Sequence, residues 1–184
     1  MLGKLYQTGG YGWKRDFSLA LTFYGRAAQR GELTSLLELG YMHRRGEGTP
    51  VDLEKSSALF RRAAATGHPE GLKAWGQSLL RGIGVSPDER EGLRLVREAA
   101  MRRSDGAQFL LGGFHFRGEF CDKDWAESYA WMKLATDNGH PDTAKFLEVM
   151  LANMDPSVIE EGERRYKDWK ARIEKTSSQE ERVE

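Results

Sequence analysis

Between Glu32 and Gly67 the apolar positions fall at helical spacing twice, separated by a polar, glycine-bearing break. Over residues 34–45, Leu36, Leu39 and Met42 recur at three-residue steps, and the run stops at Gly46-Glu47-Gly48. Over residues 52–66, Ser56, Leu59, Phe60, Ala63 and Ala64 form one stripe that stops at Gly67. Steps of three and four put such residues on one helix face, so the segment predicts two amphipathic helices joined by a short loop. Gly46 and Gly48 permit the positive φ of a tight inter-helix turn, and Gly67 suits the residue after a helix end. No stretch alternates at period two for long enough to predict a sheet.

The layout returns every 36 residues. Asp16, Asp52, Asp88 and Asp124 keep that interval, and each stands where a second helix begins. A carboxylate there can accept from free first-turn N–H groups and complements the helix dipole, so all four are predicted N-caps. Gly31, Gly67, Arg103 and Gly139 close the second helices in the same register, after Ala27-Ala28, Ala63-Ala64, Ala99-Ala100 and Ala135-Thr136. Gly40, Gly76 and Gly112 fall inside first helices, where glycine costs ~1 kcal/mol relative to alanine. Its return at that cost predicts neighbouring helices too close there for a side chain. Pro50 and Pro87 precede second helices, Pro69 and Pro141 open first helices, and Pro156 opens the last helix. A fixed period in the 20–50 range means stacked supersecondary units rather than one globular core. The pattern therefore predicts an all-α chain of nine or ten helices.

The string running from Leu39-Gly40 through His43, Gly46, Gly48, Asp52, Lys55, Ser56, Leu59, Phe60, Arg62 and Ala63-Ala64 to Gly67 resembles the Sel1-like repeat, a relative of the tetratricopeptide repeat. Later repeats drift from it: Val96 and Met132 replace the aromatic, Arg103 the terminal glycine, and Phe120 the second loop glycine. Tyr129-Ala-Trp131-Met-Lys-Leu-Ala135 and the closing segment from Asp155 to Trp169 are similar to the ends of bacterial members. The resemblance implies an α-solenoid, a right-handed superhelix of about four 36-residue helix-turn-helix repeats with a C-terminal capping helix. The expected organisation is a single solenoid over 1–175. Its repeats are 1–31 (partial), 32–67, 68–103 and 104–139, followed by capping helices over 140–175 and a disordered tail at 176–184.

Leu2-Gly3 matches Leu39-Gly40, so the chain opens inside a first helix. Either its start is blunt, or upstream repeats or a signal segment precede it. Val158, Ile159, Gly162, Tyr166, Trp169 and Ile173 make an apolar stripe on the closing helix, which suits a cap over the last repeat, with Trp169 and Ile173 spaced to pack onto Phe146 and Val149 or Met150 of the helix before it. Twenty-eight basic and 28 acidic residues balance, so no bulk field favours nucleic acid. No apolar run reaches the ~18 residues of a bilayer span. The compartment stays open between bacterial periplasm and cytoplasm, and no cofactor or metal is expected.

Candidate chemistry is sparse. His43 and His115 stand two periods apart, as do His68 and His140, spacings that favour structural or capping roles over a shared metal. Cys121 takes the slot of Thr49 and Val85 and reads as a small half-buried residue, with nothing nearby in sequence to lower its pKa. The loops Gly9-Gly10-Tyr11-Gly12, Gly46-Glu47-Gly48 and Gly82-Ile83-Gly84 lack the strand and lysine-serine ending of a phosphate cradle, and read as turns. No general acid–base pair is evident.

The resemblance implies that first helices line a concave side, where a protein or peptide partner would bind. The first-helix positions left free by the motif give the candidate binding residues Tyr41, Met42, Arg45, Lys73, Gln77, Arg81, Phe109, Phe114 and Arg117. Arg45, Arg81 and Arg117 form a ladder of one arginine per repeat, and arginine with aromatics is typical of interface hot spots. Alternatively, the arginines cap helix C-termini and the phenylalanines are core. Glu54, Arg61 and Arg97 on second helices are expected bystanders. The leading reading is a non-enzymatic adaptor or scaffold, with envelope, virulence-linked and toxin-immunity roles all open. The other is an enzyme: cysteine-rich relatives are associated with binding and slow hydrolysis of β-lactams or peptidoglycan fragments. Those relatives carry a cysteine pair per repeat, and this chain has only Cys121.

Overall fold

The computed structural model describes residues 2–10 and 12–180, with side-chain surroundings through Thr176. Met1, Tyr11 of the first glycine-rich loop, and residues 181–184 of the expected tail lie outside the described residues. Among the described residues there are ten α-helices and no strand. They are α1 (Leu2–Thr8), α2 (Phe17–Gln29), α3 (Leu33–Arg45), α4 (Leu53–Ala64), α5 (Pro69–Arg81), α6 (Glu89–Met101), α7 (Asp105–Arg117), α8 (Trp125–Asp137), α9 (Thr143–Asn153) and α10 (Pro156–Glu180). The fold is an all-α solenoid of helix-turn-helix units closed by a capping helix. Its helices cluster into two compact units, Met1–Gly92 and Leu93–Glu184.

The four aspartates act as the period predicts. Asp16 accepts from the Leu19 amide at 2.9 Å, Asp52 from Lys55 at 2.9 Å, Asp88 from Glu91 at 3.0 Å and Asp124 from Glu127 at 3.0 Å. First helices are capped by other chemistry: His68 Nδ1 accepts from the Glu70 amide at 3.2 Å, and Ser104 Oγ from Ala107 at 3.2 Å. Each cap satisfies a first-turn donor that has no intrahelical partner.

In the first unit, α1 to α5 pack in sequence, each against the next. Ala20, Tyr24, Ala28, Leu36, Leu39, Met42, Leu59 and Ala63 form the buried core. In-helix glycines mark close helix contacts within it. A Cβ built on Gly40 would stand 2.5 Å from the Phe60 ring, and one on Gly71 would collide with the Ala63 carbonyl. In the second unit, a Cβ on Gly112 would stand 2.8 Å from Met132.

The second unit is centred on α8, which packs against α7, α9 and α10. Here the sequence expectation for the closing helix needs correction. Its apolar stripe is at least partly buried, with Gly162 and Ile173 buried, but Trp169 meets α8 rather than Phe146, Val149 or Met150 of α9. Trp169 lies 4.9 Å from Trp131 between ring centroids, and a Cβ on Gly162 would stand 2.7 Å from the Tyr129 ring. Helix α9 has only 11 residues, whereas α8 offers Tyr129 and Trp131, whose rings bury far more apolar surface. Only the first turn of α10 reaches the cluster shared with α9, through Val158 and Ile159.

Two boundaries also shift. Helix α10 continues to Glu180, past the expected tail start at 176, because residues 174–180 contain no glycine or proline and elongation of an existing helix is favourable. Pro141 lies in a turn rather than opening α9, which begins at Thr143. His140 holds that turn: its Nδ1 accepts from the Asp142 amide at 3.3 Å and its carbonyl from Thr143 Oγ1 at 3.0 Å.

Candidate protein-binding surfaces

On α3, Glu38, Tyr41 and Arg45 share one face by their spacing of three and four. Tyr41 is half-buried, with its ring 4.9 Å from that of Phe60. Burial raises its hydroxyl pKa against the lowering effect of Lys73, which is itself salt-bridged to Glu70 on α5. The Arg45 guanidinium lies 5.7 Å from the Tyr41 ring centroid and donates twice to Glu47, at 2.7 and 3.0 Å. Gln7 Nε2 of α1 donates to Glu38 at 3.2 Å. Gln77 is half-buried and Arg81 exposed. The first unit thus presents Tyr41, Arg45, Lys73, Gln77 and Arg81 at least partly to solvent, on its first helices.

Met42 and Phe114 do not belong to such a surface. They are 0% and 1% exposed, and therefore core. Their shared position is free in the motif because side chains as different as Met42, Ser78 and Phe114 can fill it while buried, not because solvent reaches it. Phe109 is half-buried, stacked on His140 at 4.3 Å and packed against the second core. Arg117 repeats the Arg45 arrangement two periods later, with Nε donating to Glu119 at 3.0 Å. Both arginines are tied to a glutamate two residues on. Such exposed pairs contribute little stability but hold a guanidinium in place.

The second unit also holds an apolar groove outside the sequence-derived candidates. Phe116, Trp125, Phe146, Val149, Met150 and Met154 enclose about 190 Å³, with Asn153 the single polar residue at its edge. Phe116 stacks on Trp125 at 6.0 Å and meets Phe146 edge-on at 5.2 Å. Val149 is 60% exposed and Trp125 37%. The signal was available: continued by one period, the register of Gly113 and Arg117 lands on Val149 and Asn153.

The remaining chemistry is quiet. Burial lowers the pKa of His43, and its Nδ1 has no hydrogen-bond partner among the described residues. His115 Nδ1 lies 3.2 Å from the Asp122 carbonyl and 3.5 Å from Cys121 Sγ, a contact not foreseen from the sequence. Burial raises the thiol pKa, which disfavours the thiolate that nucleophilic chemistry requires. Among the described residues, no group of three or more His, Cys, Asp or Glu could hold a metal ion. None of the described helices is long and apolar enough to cross a membrane.

The repeat signature of one family matches this chain at residues 1–32, 34–68, 69–104 and 106–140: the Sel1 repeat. The chain belongs to the Sel1 repeat family. Its Sel1 fold is similar to that of c5321, a protective antigen present in uropathogenic Escherichia coli strains that displays an SLR fold. That match has 25% identity and a TM-score of 0.81, and covers 94% of this chain and 37% of c5321. A Sel1 repeat protein from Oxalobacter formigenes shares the fold at 24% identity and a TM-score of 0.72, over 95% of this chain and 70% of that one. Among curated relatives, chitin synthase regulator SKT5 of Saccharomyces cerevisiae is 29% identical over 131 residues, 67% of this chain but only 18% of SKT5.

Proposed function

We propose that this Sel1 repeat chain is a non-enzymatic adaptor that captures a protein partner on the first-helix faces of its units. Sel1 and tetratricopeptide-like folds typically mediate protein–protein interactions. The observation that carries the reading is the uncovered apolar groove of α7, α8 and α9, with Val149 exposed on the first helix α9 and Trp125 exposed at the start of the second helix α8. An apolar side chain of the partner fits that groove. In the first unit, Tyr41, Arg45 and Arg81 offer the amphipathic, partly ordered side chains from which hot spots are built. Among envelope, virulence-linked and toxin-immunity roles, the description of c5321 as a protective antigen supports the virulence-linked one.

The test begins with cross-linking and mass spectrometry to identify the partner, followed by calorimetry on variants. Val149→Lys and Tyr41→Ala should each weaken binding by ~2 kcal/mol or more, the cost of losing a hot spot. Glu54→Ala and Arg97→Ala, on second helices, should leave affinity unchanged. The reverse result would place the site on the other helices.

A further inference from the structure

We propose that the first unit carries a second binding site, between α4 and α5, for an acidic protein segment that also brings an apolar side chain. The site is a groove of about 450 Å³ with Ala58, Ala65, Val85 and Trp75 as its apolar walls and Arg61 and Arg62 at its rim. Among the described residues, the Arg61 side chain has no ion pair or hydrogen bond. Arg62 gives one N–H to the Ala28 carbonyl at 2.8 Å and has no carboxylate partner among the described residues. The half-buried Trp75 indole N–H likewise donates to no acceptor. The Ser57 hydroxyl in the groove is already committed, donating to the Glu54 and Gly84 carbonyls at 2.9 and 2.8 Å.

Every unmet polar group here is a donor, two are cationic, and no acid lines the groove. The nearest acid on the α4 stripe, Glu54, stands seven residues before Arg61, about 10 Å along the helix. Elsewhere in the chain, exposed arginines such as Arg45 and Arg117 are matched by a glutamate two residues on. Arg61 and Arg62 lack that match. Guanidinium groups fit carboxylates bidentately, and the indole face with the two alanines accepts an aliphatic side chain. Two cations on a formally neutral chain are too few for a nucleic-acid backbone, which requires a run of phosphate contacts. An acidic-aliphatic peptide satisfies both the donors and the walls. The proposal gives Arg61 a role beyond that of a bystander, and the site stands apart from the first-helix faces, so each proposal can fail alone.

The test follows the Trp75 indole N–H by two-dimensional NMR of the ¹⁵N-labelled full chain, with the cross-peak assigned by its loss in Trp75→Phe. The probe is a synthetic hexapeptide of alternating glutamate and leucine. Controls are the lysine–leucine version, hexaglutamate and tripolyphosphate. The glutamate–leucine peptide should move the Trp75 peak saturably, and Arg61→Glu should weaken it at least tenfold while other cross-peaks stay in place. Arg61→Gln should give an intermediate loss, and lysine–leucine no shift. An unmoved peak at millimolar peptide, or unchanged affinity in Arg61→Glu, overturns the proposal. So does equal binding of the lysine–leucine peptide, or tighter binding of hexaglutamate or tripolyphosphate, which would make the groove a simple anion site.

Discussion

Arg103 and Phe120 hold φ values of 64° and 62°, in the register where the other repeats have glycine. A side chain in that left-handed region costs ~1–2 kcal/mol, and glycine gives back part of the gain through its freer unfolded state. Arg103→Gly should therefore stabilise the chain by about 0.5–1 kcal/mol in urea denaturation. Phe120→Gly should destabilise it, because that ring meets Phe114 edge-on at 5.1 Å and its packing outweighs the relieved strain. Gly40→Leu should cost ~1–3 kcal/mol by overpacking against Phe60; an unchanged unfolding midpoint would refute the close-approach explanation. Caps and turn glycines were legible because their chemistry is local: Asp52 needs only the amides of the next three residues. Met42 and Phe114 were misplaced because freedom from the motif does not reveal exposure. That depends on which neighbour covers the residue.

Helix α10 is held to α8 by a polar seam as well as by rings. Tyr129 and Lys133 donate to Glu163, Tyr166 and Lys170 to Asp137, and Arg165 to Asp124. Burial pushes the pKa of Glu163, Asp137 and Asp124 up, but these hydrogen bonds outweigh it and leave all three below the ordinary carboxylate range. A folded pKa below the unfolded one gives stability that is complete above the unfolded value and lost as pH falls through the folded one. Docking of α10 should thus be at full strength above about pH 5 and weaken below about pH 4. Thermal unfolding from pH 6 to pH 3 checks this, and Asp137→Asn with Glu163→Gln should flatten the acid limb. The seam was hidden in the sequence. A 3.6-residue stripe says which face of α10 is buried, but the stripe itself fits α8 and α9 equally well.

At the scale of the whole chain, the period alone was enough to establish the class, because four aspartates at one interval have no explanation in a single irregular core. Partner identity was not legible, since recognition uses the non-motif positions, where the repeats differ and offer no internal comparison. The cap can be tested directly. Ending the chain at Asp155 would uncover Tyr129 and Trp131, now 4% and 2% exposed, with much of the apolar face of α8. The truncated protein should melt at lower temperature and self-associate, as read by calorimetry and light scattering. A monomer of parental stability would make α10 an accessory rather than a cap.

Glu127 accepts from two indoles at once, Trp131 and Trp169, each at 2.8 Å, with the rings inclined by 34°. Chromophores so near and so fixed share their excitation, and a chiral offset between them splits the near-ultraviolet circular dichroism into a couplet. One member of the pair rides on α10 and the other on α8, so the couplet exists only while the two helices touch. The protein thus carries its own label-free optical gauge of whether its last helix is seated.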